Sequence, residues 1–323
     1  MSYSQEVYSQ ALEILERRKE RANIEAQERF DEISDKIPEL EDIKRKLANI
    51  GLNISKVFLT SSDKQADIEK LMNESLALQE QRKQALIKNG YDEDALAVQY
   101  FCSACQDTGF IKSRRCKCHN EILKDIERKN LSKIAPIEDC TFDSFDVNYY
   151  PETVMENGIS PRNQAEKIKN SCMKYAAGFT SSSPNIMFMG GTGLGKTHLS
   201  LAIANVAINR GFSVVYGTAQ NILSSLQNEN FGRTDNLKYN ERAVLNCDLL
   251  IIDDLGTEFK SSYTVACLYN IINSRISSKL PTIISTNILY KELEEKYDQR
   301  IISRLAGEYN RLNLIGNDIR YIK

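Results

Sequence analysis

Apolar positions in the first 97 residues are few and fall at helical spacing, between dense runs of Glu, Lys, Arg and Gln. Charges crowd Glu13 to Arg29 and leave one narrow seam. From Ala26 the seam runs through Phe30, Ile33, Ile37, Leu40, Leu47 and Ile50, close to an a/d spacing. Pro38 disfavours helical geometry at Ile37 and lacks an amide donor, so a break near residues 35–38 is predicted. The second helix is expected to end at Gly51 in the C′ position. Ser62 and Gln65 have capping-box spacing for a third, reaching about Lys88 before Gly90.

Beyond residue 180 the pattern changes to continuous apolar runs alternating with helical ones. Ile186–Met189, Phe212–Tyr216, Leu249–Asp254 and Pro281–Asn287 read as strands, with a last short strand at Asn313–Ile315. Ser160 caps a helix that opens at Pro161 and runs to about Ala177. Further helices are expected over residues 197–210, 219–228, 237–246 and around 300–304. Such alternation predicts an α/β core, a parallel sheet flanked by helices on both faces. The expected organisation is an α-helical region over 1–97, a small cysteine-bearing knuckle and charged helical connector over 98–134, and the α/β domain over 135–323.

The first α/β strand leads into Gly190-Gly191-Thr192-Gly193-Leu194-Gly195-Lys196-Thr197, and a helix follows. This is a phosphate-binding loop in the context it requires. Glycines let backbone N–H groups turn inward around an anion, and the positive end of the next helix faces the same point. Lys196 is expected to reach the β- and γ-phosphates of ATP, and the Thr197 hydroxyl to ligate Mg²⁺. Leu249–Asp254 ends in Asp253 and Asp254, carboxylates at the strand edge where nucleotides bind. Asp253 is the candidate for holding Mg²⁺ through its water shell, and Asp254 for orienting an attacking water. Asn287 ends a further strand and is a candidate for positioning that water or the γ-phosphate. Arg300 and Arg304 lie four apart on one helical face, candidates for an arginine finger supplied to a neighbouring subunit, Arg304 foremost.

Charge and cysteine usage refine this picture. The whole chain carries a formal net charge of −2, which makes no global case for a nucleic-acid or membrane partner. Residues 1–99 hold 15 Lys+Arg against 20 Asp+Glu, an acidic surface suited to docking another protein more than to gripping DNA. A polar start and no apolar run of some 18 residues give a cytoplasmic expectation without a membrane. Cys102-x₂-Cys105 and Cys116-x-Cys118 offer four thiolates for a closed Zn²⁺ site, with His119 as the alternative ligand. Lys112, Arg114, Arg115 and Lys117 surround them, either to offset thiolate charge or to touch nucleic acid. Cys140, Cys172, Cys247 and Cys267 stand singly and read as core.

The cysteine knuckle with Asp107-Thr108-Gly109, the phosphate loop, Leu249 to Gly256, Ser285-Thr286-Asn287 and Arg300 through Arg304 together resemble the bacterial replicative helicase loaders of the DnaC/DnaI type. These are AAA+ P-loop ATPases of the IstB-like branch. The resemblance spans essentially the whole chain. It implies that the helical and zinc region binds a hexameric DnaB-type helicase, that the ATPase engages single-stranded DNA, and that ATP acts between adjacent subunits. It gives Lys196 and Thr197 the Walker A role, Asp253 Walker B, Asn287 sensor 1 and Arg304 the finger. Asp254 stands where many AAA+ proteins have Glu, so slow hydrolysis is expected, with ATP as a switch. With seven residues after Gly316, no helical lid is expected, and Arg320 is a candidate sensor-2 analogue. In the insert after the second strand, Arg233, Lys238 and Arg242 with Phe231 and Tyr239 are candidates for single-strand contact. The alternatives are a transposase helper ATPase and a nucleotide-regulated adaptor of the same branch.

Overall fold

The computed structural model describes residues 3–60, 64–154, 158–232 and 239–321. It resolves into two compact units, Leu12–Cys116 and Met1–Ala11 with Lys117–Lys323. In the first, helix α1 (Gln5–Ser34) is followed, after the break at Pro38, by α2 (Glu39–Thr60) and α3 (Lys64–Lys88). Ile33, Ile37 and Leu40 pack on Ala85 and Leu86, and Ile43 and Ile50 pack on Leu78 with Leu47, Ile54 and Leu71 beside them. That seam corrects one expectation, since α2 runs straight through Gly51. A mid-helix glycine costs about 1 kcal/mol. Burial of Ile50 on one side of it and Ile54 on the other outweighs this. The Ser62 cap lies outside the described residues. Leu52, Met72 and Leu76 remain exposed on α2 and α3.

The knuckle forms a small hairpin, β1 (Phe110–Ile111) against β2 (Arg114–Arg115). The second unit opens with α4 (Lys117–Ser132), expected as a charged connector but amphipathic in fact, with Ile122, Leu123, Ile126 and Leu131 buried. Helix α5 (Pro161–Ala177) begins as its sequence announces, Ser160 accepting the Asn163 amide. The sheet comprises β3 (Asn185–Met189), β4 (Val214–Thr218), β5 (Leu249–Leu255), β6 (Thr282–Thr286) and β7 (Tyr309–Asn313). All pairings are parallel, in the spatial order β4-β5-β6-β3-β7. The strands alternate with α6 (Lys196–Asn209), α7 (Ala219–Asn230), α8 (Glu241–Asn246), α9 (Ser262–Ser277), α10 (Tyr290–Lys296) and α11 (Gln299–Glu308). This is an α/β fold, a five-stranded parallel sheet with helices on both faces. One face of the sheet buries Ile186, Phe188, Ile251 and Ile283 under α5 and α6. The other buries Met187, Leu250, Ile252 and Ile284 under α7, α9 and α11.

Two further expectations change. The last strand lies at Tyr309–Asn313 rather than 313–315. It is an edge strand whose Asn310 and Arg311 face solvent, so no apolar run marks it. Tyr239 is buried, with its ring against Gly217, and is not available to stack on a base. Phe231 is 65% exposed, whereas Arg233 and Lys238 lie outside the described residues. Cys140, Cys172 and Cys247 are core residues; Cys267 is half-buried. No described helix is long and apolar enough to cross a membrane.

Buried charges join these layers. The Arg275 guanidinium is fully buried and donates to the carbonyls of Val244, Leu245, Cys247 and Pro281 and to the Thr282 hydroxyl. Glu127 on α4 accepts the Val214 amide at 2.9 Å, capping the start of β4. Burial first, and the nearby Asp248 charge after it, push this carboxyl up to about 7. An acid raised above its unfolded value destabilises the fold as pH climbs from about 4.5 to about 7, with no further change above that. Glu127→Gln keeps the acceptor and removes the charge. Its melting temperature is expected to exceed the parent's at pH 8 by the equivalent of roughly 1–3 kcal/mol, with the gap closing towards pH 5 in thermal scans.

Candidate nucleotide site and metal centre

The loop from Gly190 to Gly195 turns through three residues of positive φ, at Gly190, Gly193 and Gly195. Side chains are excluded there by close neighbours as well as by conformation. A Cβ on Gly190 would lie 2.2 Å from the Leu314 carbonyl oxygen, and one on Gly195 would lie 2.6 Å from the Phe145 ring. Tyr150 donates its hydroxyl to the Leu194 carbonyl at 2.8 Å, and Leu194 is buried. Gly191 and Thr192 lie exposed at the loop's crest. The cradle is therefore built from both sides, by Phe145 and Tyr150 beneath and by the segment after β7 beside it.

Lys196 opens α6 and its ammonium donates to the Gly190 and Gly191 carbonyls at 2.9 and 2.7 Å. Burial pulls its pKa below the ordinary lysine value, against the raising influence of Asp254 and Asp253. One turn of sheet away, Asp253 is almost wholly buried. Its Oδ2 accepts the Thr197 hydroxyl and the Tyr216 hydroxyl, each at 2.9 Å, while its Oδ1 accepts the Ser285 hydroxyl. Thr197 and Asp253 thus form one oxygen cluster, the donor set a Mg²⁺ ion with its waters takes.

Asp254 has a left-handed backbone, φ 52°, where the β5–β6 register shifts. Its amide is held by the Ser285 hydroxyl at 3.0 Å. Burial, and then the Asp253 charge, push its carboxyl above the usual range. Asn287 follows Thr286, which pairs with Met189, so it stands just past the end of β6, at the sheet edge where the phosphate loop begins. Arg320 pairs with Asp318, whose Oδ1 would lie 1.8 Å from a Cβ on Gly193. Lys196, Asp253, Asp254 and Arg320 therefore share one crevice. Arg300 and Arg304 have other partners: both guanidiniums lie 4.7 Å from the Tyr269 ring centroid on α9, with Arg300 on Asp298 and Arg304 on Asn273.

Sequence reasoning missed Tyr216, Ser285, Asp318 and Glu258. Glu258, buried, accepts the Gly256 amide and the Tyr297 hydroxyl and pairs with Lys296, fixing the loop after β5. Period-two spacing from Thr218 would have put Tyr216 on the Asp253 side of its strand, but only a known register makes the two meet.

In the knuckle the Sγ atoms of Cys102, Cys105, Cys116 and Cys118 all lie within 4.8 Å of one another, with Cys102 and Cys116 at 3.7 Å. Tetrahedral Zn²⁺ with bonds of about 2.3 Å separates its sulfurs by about 3.8 Å, so this set fits the ion. His119, the alternative ligand, is buried at the start of α4 and is not one of the four clustered groups. The buried Asp107 carboxylate accepts the Phe101 and Cys102 amides at 2.8 and 3.0 Å, tying the first thiolate's backbone in place. Lys112 and Arg114 point outward from the hairpin.

The chain is similar to several known proteins. Residues 162–308 match the family described as IstB-like ATP binding protein. The replicative helicase loader DnaC of Escherichia coli K12 is 29% identical over 203 residues, 62% of this chain and 77% of that protein. The protein of the same name from Buchnera aphidicola (Acyrthosiphon pisum) is 26% identical over 217 residues, 66% of this chain and 80% of its own. A crystal structure of the DnaC helicase loader superposes with a TM-score of 0.46 at 19% identity, covering 56% of this chain and 99% of that one. The similarity to DnaC-type loaders read from the motifs is borne out, and residues 162–308 match a family of ATP-binding proteins.

Two outcomes follow. The purified chain is expected to carry one zinc ion, lost in Cys105→Ser, as metal analysis after desalting will show. Gly193→Ala forces a side chain into a left-handed position against Asp318 and is expected to weaken binding of a fluorescent ATP analogue at least about tenfold.

Proposed function

We propose that this chain loads a hexameric DnaB-type replicative helicase onto single-stranded DNA, with ATP as the controlling ligand. The observation that carries the reading is the similarity to proteins named replicative helicase loader over 77–80% of their length. In this reading the loop amides and Lys196 bind the phosphates, and Thr197 and Asp253 hold Mg²⁺. Mg²⁺ neutralises charge on the β- and γ-phosphates when bound. Asp254 orients the attacking water, Asn287 sets the γ-phosphate side of the crevice, and Arg320 senses the triphosphate from beside Gly193. Arg304, with Arg300 second, completes the site of an adjacent copy, which fits their placement on α11 against Tyr269 of α9. Asp254, shorter than Glu and raised in pKa, suits slow turnover that a partner accelerates.

Residues 1–97 are the helicase-docking region in this scheme, 98–134 the zinc knuckle and connector, and 135–323 the motor. Exposed Leu52, Met72 and Leu76 on α2 and α3 supply apolar contacts for a partner helix. Phe231, exposed at the end of α7, and Arg242 are the described groups suited to stacking on and neutralising a single strand. The match to IstB-like proteins, confined to residues 162–308, also suits a transposase helper ATPase.

The solution mass of the protein mixed with its host's replicative helicase separates these readings. A defined large complex, altered by Lys196→Ala and by withdrawal of ATP, is expected. Absence of a complex in either nucleotide condition would favour the helper.

A further inference from the structure

Asp253 meets more hydroxyl groups than a Mg²⁺-holding carboxylate needs for its own burial. Thr197 reaches its Oδ2 from α6, Ser285 reaches its Oδ1 from β6, and Tyr216 reaches Oδ2 from β4 at 2.9 Å. Thr197 belongs to the phosphate loop's own machinery, but Tyr216 does not. It sits two residues before Thr218, which pairs with Asp253 across the β4–β5 ladder, so its phenol crosses diagonally on the face that carries α6. The ring is buried, at 8% exposure, among Val214, Leu249 and Ile251 of the same core. It has little freedom to turn. Its hydroxyl therefore fixes where Oδ2 lies, and Ser285 fixes Oδ1, which together set the plane of the carboxylate.

We propose that Tyr216, assisted by Ser285, is a positioning residue for the divalent cation: it holds the Asp253 carboxylate in the orientation that receives the cation's water shell. The inference rests on the reading of Asp253 as the Mg²⁺-holding group. Hydrogen bonds from a buried neutral donor to a charged acceptor are among the stronger ones, and they restrict a side chain that otherwise exchanges rotamers when its partner arrives. A carboxylate already in place loses less freedom on ligation, which is how outer partners of metal ligands raise affinity.

The test uses the full chain and a fluorescent ATP analogue titrated with Mg²⁺, alongside thermal unfolding. Tyr216→Phe keeps the packed ring and removes the one hydroxyl. Its analogue affinity in EDTA is expected to match the parent within about twofold. The Mg²⁺ concentration for half-maximal enhancement of binding should rise about tenfold, the scale at which outer partners of metal ligands act. Ser285→Ala, which acts on the other oxygen, should show the same signature. An unchanged Mg²⁺ midpoint in Tyr216→Phe would overturn the positioning role. So would equal losses with and without Mg²⁺, the mark of a purely structural tyrosine. Asp253→Asn is the control that separates premise from proposal. If it leaves the Mg²⁺ midpoint in place, the premise falls and the proposal with it. If Asp253→Asn shifts the midpoint and Tyr216→Phe does not, only the proposal falls.

Discussion

Between Met189 and Lys196 the backbone reverses through left-handed glycines, and much of the α/β unit is arranged to keep that reversal in place. A non-glycine residue at Gly190, Gly193 or Gly195 would combine conformational strain with contacts of 1.8–2.6 Å. Phe145, Tyr150, Leu314 and Asp318 supply those contacts, and they come from segments before and after the sheet. The loop is thus the point where distant parts of the chain converge. The parallel order β4-β5-β6-β3-β7 then places the ends of β5 and β6 beside it, which carries Asp253, Asp254 and Asn287 to the same edge.

Three buried ionic groups of the core are each met by several polar partners. Asp253 has three hydroxyls, Arg275 has four carbonyls and a hydroxyl, and Glu258 has an amide, a phenol and an ammonium. Removing single partners from such groups strands a desolvated charge, which typically costs several kcal/mol. The placements differ in consequence. Arg275 joins α8, α9 and the entry to β6 far along the strands from the crevice, so its work is architectural. Asp253 and Glu258 sit at the C-terminal end of β5, one beside Thr197 and one under the loop that follows Asp254.

What could be read from the residues divides along a physical line. The phosphate loop, the Asp253–Asp254 pair and the four cysteines were legible because their chemistry demands adjacent residues of fixed type. The helix at Pro161 was legible because Ser160 and proline mark its start locally. Tyr216, Ser285 and Asp318 were not, because their roles depend on strand register and on a tail folding back, neither of which leaves a local signature. Gly51 misled because its intrinsic cost is smaller than the burial of Ile50 and Ile54. β7 misled because an edge strand with solvent-facing Asn310 and Arg311 carries no apolar run.

The stacking of Arg300 and Arg304 against the single ring of Tyr269 has a consequence for how these two cations behave together. Each guanidinium lies 4.7 Å from the same centroid, so one aromatic ring serves two cations. Loss of that one ring removes a partner from both arginines at once, and Tyr269 thereby ties together the surroundings of two side chains four residues apart.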